Sequence, residues 1–75
     1  MYTGKIKCFV KRHYSNIMKI DLYTGYVTVY DYNGKYLYSK YTGITRIDCG
    51  DAMIDAKILM DNIFAENNIF EKQVL

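Results

Sequence analysis

The chain of 75 residues contains no proline. Nothing in it therefore forbids long strands or a continuous helix, because proline removes a ladder hydrogen bond and kinks a helix. Cysteine is scarce. Cys8 and Cys49 are too few and too far apart for a CxxC site or a disulfide framework. Both fall where the pattern points inward, and there a free cysteine acts as a small hydrophobe. The single histidine, His13, lies beside Arg12 and Tyr14 in a stretch predicted as a loop, with no acidic neighbour in sequence. General acid–base work needs a positioned partner and a pocket, so no catalytic residue is assigned and the chain is expected not to be an enzyme. No Gly-rich phosphate loop is present and no cofactor is implied. Asp48, Asp51 and Asp55 share one helical side, but no loop supplies the further oxygens a hard cation takes. They read as a solvated face favoured by the helix dipole, not as a metal site. No apolar run reaches membrane-spanning length, and no leader pattern opens the chain. The expected setting is cytoplasmic, without a membrane partner.

What is present is a globular composition, with 51% hydrophobic and 24% charged residues. One domain over residues 1–75 is the expected organisation. Its core is small, so a homodimer is one way to bury more surface. Charge is uneven. Residues 1–46 hold eight Lys/Arg against two Asp, and residues 47–75 hold two Lys against six Asp/Glu. The basic half and the acidic half can attract each other, a second copy or a charged partner.

The stretch Ile17–Tyr41 reads as two hairpins, one turning at Thr24-Gly25 and one at Asn33-Gly34. Asn-Gly between alternating residues is the strongest short hairpin signal, because a two-residue type I′ turn needs positive φ twice. With two-residue turns, Tyr32 opposes Lys35 and Tyr30 opposes Leu37, while Tyr23 opposes Tyr26 and Ile20 opposes Val29. Opposed residues share a face. Met18, Ile20, Leu22, Val27, Val29, Tyr36 and Tyr38 then form the core face. Residues 5–12 alternate as a further strand, with Ile6, Cys8 and Val10 inward and Lys5, Lys7, Phe9 and Lys11 outward. Tyr-Thr-Gly at Tyr2, Tyr23 and Tyr41 reads as three turns, because its spacing is uneven.

Beyond Thr42-Gly43 the period switches. Cys49, Ala52, Met53, Ala56, Leu59, Met60 and Ile63 recur at helical steps and form a core-facing stripe. Thr45 with Asp48 resembles a capping box, and Asp48 as N-cap is the competing reading. The fold class is thus α+β: a four-stranded antiparallel meander (strands about 5–12, 17–23, 26–32 and 35–41) with one C-terminal helix (about 46–66) packed on one face. The tail, 67–75, folds back or reaches a second copy.

The outward face gathers the binding candidates Phe9, Tyr23, Tyr26, Tyr30 and Tyr32 with Lys7, Lys19 and Lys35. Tyrosine is large, stiff and amphipathic, as protein-binding surfaces require. The leading expectation is a non-enzymatic protein-binding module, an inhibitor or regulator acting by steric occlusion through this face. The alternative is single-stranded nucleic acid, which aromatics stack and lysines neutralise. A self-associating structural protein is the third reading. The order Tyr32-Asn33-Gly34-Lys35-Tyr36, then Lys40-Tyr41-Thr42-Gly43-Ile44-Thr45, then a helix, resembles the hairpin-then-helix layout of small accessory proteins of phages and mobile elements. That resemblance covers about half the chain and resides in turn chemistry. It implies a short protein of the host cytoplasm that blocks or redirects a host protein, and it assigns no individual residue.

Overall fold

A computed structural model describes residues 4–67 and 70–74. The elements run β1 (Gly4–Ser15), β2 (Ile20–Asp31), β3 (Tyr36–Arg46), α1 (Cys49–Asn67) and β4 (Phe70–Val74). The fold is α+β. β1, β2 and β3 form an antiparallel three-stranded sheet in the order β3-β2-β1, and α1 packs on one face. β4 runs parallel to β1 on its other side, Gly4 opposite Phe70 and Cys8 opposite Val74.

The expected four-stranded meander is corrected at its centre. Thr24-Gly25 is not a turn. β2 passes straight through it, and β1 pairs with β2 without interruption from Gly4–Asp31 to Ser15–Ile20. The segments expected as strands 17–23 and 26–32 are one strand. Gly25 serves the helix instead. A Cβ there would stand 2.6 Å from the Ala52 carbonyl oxygen and 2.9 Å from the Ala56 Cβ. Glycine within a strand often marks such a close approach of another backbone. Here three small residues, Gly25, Ala52 and Ala56, let α1 lie close against β2. The core around that contact is Ile6, Cys8, Val27, Val29, Ala56, Met60 and Ile63, with Met53, Leu59 and Phe64 packed against it.

The chain reverses between β1 and β2 at Asn16–Lys19, not in the expected loop His13–Asn16. The Lys19 amide donates to the Ser15 carbonyl at 2.7 Å, the Met18 amide donates to Ser15 Oγ at 3.1 Å, and Lys19 takes a positive φ of 57°. Met18 is thus exposed at a turn and does not join the core. β3 pairs with β2 only as far as Arg46–Tyr23, so the last residues of β1 and the first of β2 project as a two-stranded arm. The molecule is accordingly elongated, 46 × 21 × 17 Å.

The second reversal is one residue longer than expected. The Asp31 amide donates to the Lys35 carbonyl at 2.8 Å, and the Gly34 amide donates to the Asp31 carbonyl at 3.0 Å. This closes a three-residue loop, Tyr32–Gly34, whose last residue takes a positive φ of 84°, as three-residue hairpins ending in glycine do. Asp31 Oδ1 holds the loop by accepting from the Asn33 and Lys35 amides at 2.9 and 2.8 Å. The extra residue moves Tyr30 opposite Tyr36, and a register shift at Leu37 then restores Val29 opposite Tyr38. β3 also continues past Thr42-Gly43, where the fourth strand was expected to end, through a second irregularity to Arg46. Tyr2 lies outside the described residues.

α1 starts at Cys49, three residues later than expected, with Thr45 still in β3 and Asp48 just before the first turn. The N-cap reading of Asp48 fits that start better than a cap at Thr45. The helical stripe faces the sheet at Ala52, Ala56, Met60 and Ile63, but Cys49 is exposed, against expectation. It occupies the first residue of the helix, beyond the stretch where α1 crosses β2. No described helix is long and apolar enough to cross a membrane.

Candidate functional site

β1 and β2 alternate without a break, so their two faces follow directly from the register. The covered face carries Ile6, Cys8 and Val10 opposite Val29, Val27 and Gly25. The other face carries no helix. Across β1, β2 and β3 it is laid out in rows of Cα partners. One row is Lys5, Tyr30, Tyr36. The next is Lys7, Thr28, Ser39, and the next is Phe9, Tyr26, Tyr41. Lys11, Thr24, Thr45 follow, and then His13 with Leu22. None of these residues is acidic.

The aromatic rows are real ring contacts. Phe9 stacks on Tyr26 with centroids 5.7 Å apart and an interplanar angle of 16°. Tyr26 meets Tyr41 at 6.0 Å and 35°, while Tyr30 meets Tyr36 edge-to-face at 6.3 Å and 79°. Offset and edge-on pairs of this kind are worth about 0.5–1.5 kcal/mol each beyond the area they bury. Lysines from β1 reach over the rings. Lys7 Nζ stands 5.1 Å from the Tyr30 centroid, and Lys11 Nζ stands 4.8 Å from that of Tyr26 and 5.9 Å from that of Phe9. Between the two aromatic rows, Thr28 Oγ1 and Ser39 Oγ share a hydrogen bond of 3.1 Å. The sequence explains the layout. β1 alternates small apolar residues with lysine and phenylalanine, and β2 alternates valine with threonine and tyrosine, so one face is made for packing and the other for reach.

Four of the eight expected site residues come together here: Phe9, Tyr26, Tyr30 and Lys7. The other four do not. Tyr23 shares the face of Gly25 and Val27, because the strand does not reverse at Thr24-Gly25. Tyr32 is 76% exposed within the β2–β3 loop. Lys19 belongs to the β1–β2 turn and Lys35 to the end of the β2–β3 loop. In their place stand Tyr36, which the two-residue turn had assigned to the core, and Tyr41. Ile20 and Leu22 also change sides and extend the open face along the arm. The errors share one rule, that a one-residue change in register moves a side chain to the opposite face. At Thr24-Gly25 the expected turn is absent and the strand continues, and at Asn33-Gly34 the loop is one residue longer. The acceptor at Asp31, two residues before Asn33, was the available signal for the longer loop.

In register with this face, Glu71 of β4 stands opposite Lys5. Asp55 lies elsewhere. Arg46 at the end of β3 forms a two-pronged ion pair with Asp55 of α1, Nε–Oδ2 at 2.8 Å and Nη2–Oδ1 at 3.1 Å. The hydrogen bonds from Arg46, and then its charge, hold the Asp55 carboxyl below the usual range. The same contacts raise the Arg46 guanidinium. Asp55 is thereby engaged in joining helix to sheet. An open hollow of about 220 Å³ adjoins this pair, lined by Thr42, Ile44, Asp55, Ile58, Leu59 and Asn62. Burial pushes the Cys8 thiol up, so it lies in the core as an unreactive group. Among the described residues, no three His, Cys, Asp or Glu side chains gather in a way that could hold a metal ion.

No protein-family model matches this chain, and neither a curated protein nor a solved structure does.

Proposed function

We propose that the protein is a non-enzymatic binding module whose open sheet face takes a single-stranded nucleic acid. One observation carries this reading: across β1, β2 and β3 the face combines ring rows with Lys5, Lys7 and Lys11 and no acidic residue, while Glu71 of β4 stands opposite Lys5. A single strand offers the complement, a π-face on every base and a charge on every phosphate. Stacking on such platforms contributes roughly 1–3 kcal/mol per base. A second reading, a protein-directed inhibitor acting by steric occlusion, is favoured by Ile20 and Leu22, which add apolar surface that phosphate and sugar do not need.

The test is a titration of a fluorescein-labelled thymidine hexanucleotide at two salt concentrations. Three lysines each neutralising one phosphate give a log–log slope of about −2, so a fourfold rise in salt weakens binding roughly 20-fold. Absence of binding at low salt ends the nucleic-acid reading and leaves the protein-directed one.

A further inference from the structure

Two surfaces of this chain complement each other and lie too far apart to meet within one molecule. The first is the tip of the β1–β2 arm. Ile17 is 95% exposed there, and Met18 and Tyr14 are exposed beside it. Among the described residues no third strand continues beyond the Arg46–Tyr23 pair, and a two-stranded hairpin standing alone is marginal in water. The second surface is the hollow between β3 and α1. Thr42, Gly43 and Ile44 of β3 stand where β2 offers only Gly25. This bulge is set by the positive φ of Gly43, 79°, and by the Ile44 amide donating to Thr42 Oγ1 at 3.3 Å. It places Thr42 and Ile44 in the wall of the hollow with Ile58 and Leu59 of α1, and Ile44 and Ile58 remain exposed. The hollow measures about 220 Å³. A cavity of roughly 150 Å³ already takes a benzene-sized apolar group, so one isoleucine side chain fits.

Charge matches as well. Residues 11–21 of the arm hold Lys11, Arg12 and Lys19 against Asp21. α1 starts at the arm end of the sheet, because Arg46 pairs with Tyr23 and Ala52 meets Gly25. Asp48 and Asp51 stand in that first stretch, Asp51 one turn before Asp55 and near enough to raise the Arg46 guanidinium. Lys40 lies further from the arm, opposite Val27, and Lys57 lies near Cys8 on the β1 side. We infer that the arm of one copy crosses to a second copy of this chain and seats Ile17 in its hollow, with Lys19 facing Asp51, and that the second copy does the same in return. Register prevents the contact within one chain. The β3 wall of the hollow is level with Gly25, and Ile17 precedes Gly25 by eight residues, about 27 Å of extended strand. Two arms laid antiparallel bring each tip to the base of the other, so one two-fold axis fills both hollows and closes the assembly. Neither Ile17 nor the hollow belongs to the ring rows, so the inference stands apart from what the open face binds.

Sedimentation equilibrium over a range of concentrations is the experiment. The parent should associate to a dimer and no further. Burying one isoleucine side chain is worth about tenfold or more in affinity, and the dimer contains the contact twice, so Ile17→Asp should raise Kd at least about 100-fold. Ile58→Asp, on the side of the hollow, should do the same. Lys19→Glu and Asp51→Lys should each weaken dimerisation, and the double variant should recover most of the lost affinity, a recovery that a folding defect does not give. A parent that stays monomeric up to about 1 mM overturns the inference. So does a dimer that tolerates Ile17→Asp, because another surface then forms it. Species that grow beyond the dimer overturn the reciprocal arrangement, and absence of recovery in the double variant overturns the facing of the arm against α1.

Discussion

The two faces of the sheet are built from the same strands and use opposite materials. On the covered face the residues are small or branched: Ile6, Cys8, Val27, Val29 and Gly25, with Ala52 and Ala56 meeting them from α1. On the open face they are long: Lys5, Lys7, Phe9, Lys11, Tyr26 and Tyr30. Close approach of a helix backbone requires the first set, and contact with something outside the fold requires the second. The difference means that stability and binding should respond to separate substitutions, although the residues concerned alternate along single strands.

The covered face should show the largest effect. Gly25→Val places a side chain against the Ala52 carbonyl and Ala56 at distances that no side chain tolerates, and both obstacles belong to the helix. The helix must lift away from β2. The expected loss is about 3 kcal/mol, the upper part of the range for overpacked cores, read as a lower urea midpoint. A midpoint unchanged from the parent would mean that α1 does not rest on Gly25.

The open face should respond in the other measurement. Tyr30→Ala removes one stacking platform and the edge-to-face contact with Tyr36. Oligonucleotide affinity should fall by about 1–3 kcal/mol, while stability falls by about 1 kcal/mol, the scale of one aromatic pair. Unfolding of this variant would place Tyr30 in the core and erase the distinction between the faces.

A smaller effect is expected where helix and sheet are joined at the β3 side. Arg46 lowers the folded-state value of Asp55 below that of the unfolded chain. The pair therefore stabilises the fold fully at pH values above the unfolded carboxylate, about pH 4, and its contribution is lost as pH falls below that through the lowered value. Asp55→Asn should flatten this part of the acid-unfolding curve, with the difference from the parent vanishing at the acid end. A curve parallel to the parent's at every pH would show that the ion pair carries none of the acid sensitivity.

Part of the covered face was legible in the sequence, Val27 and Val29 among the hairpin residues, whereas Met18, Ile20, Leu22 and Tyr36, expected beside them, lie at a turn or on the open face. The alternation of Ile6, Cys8 and Val10 and the helical stripe through Ala52, Ala56, Met60 and Ile63 come from periodicity, which survives small errors in turn placement. The open face was half legible. Phe9, Tyr26, Tyr30 and Lys7 are on it because the alternation around them holds. Tyr23 and Tyr36 were exchanged between faces because one depended on a turn that does not form and the other on the length of a loop. Thr24-Gly25 has the composition of a turn, and only the helix that packs on it shows why glycine stands there. Local chemistry and tertiary contact ask for the same residue at that position, and a single sequence does not separate the two demands.

The smallest effect is expected at Tyr32, and it divides the two accounts of this sheet most sharply. A two-residue turn at Asn33-Gly34 makes Tyr32 the last residue of a strand and an anchor beside Tyr30. The three-residue loop held by Asp31 Oδ1 leaves its side chain 76% exposed, ahead of Gly34 and outside the rows. Tyr32→Ala should change stability by less than about 0.5 kcal/mol, as surface substitutions away from special features do, and should leave the oligonucleotide affinity of the open face as it was. Tyr30→Ala, two residues away, should alter both. If the two substitutions weaken binding equally, the contact surface runs over the end of the hairpin, and the boundary of the site lies at the loop and not at the row of Lys5, Tyr30 and Tyr36.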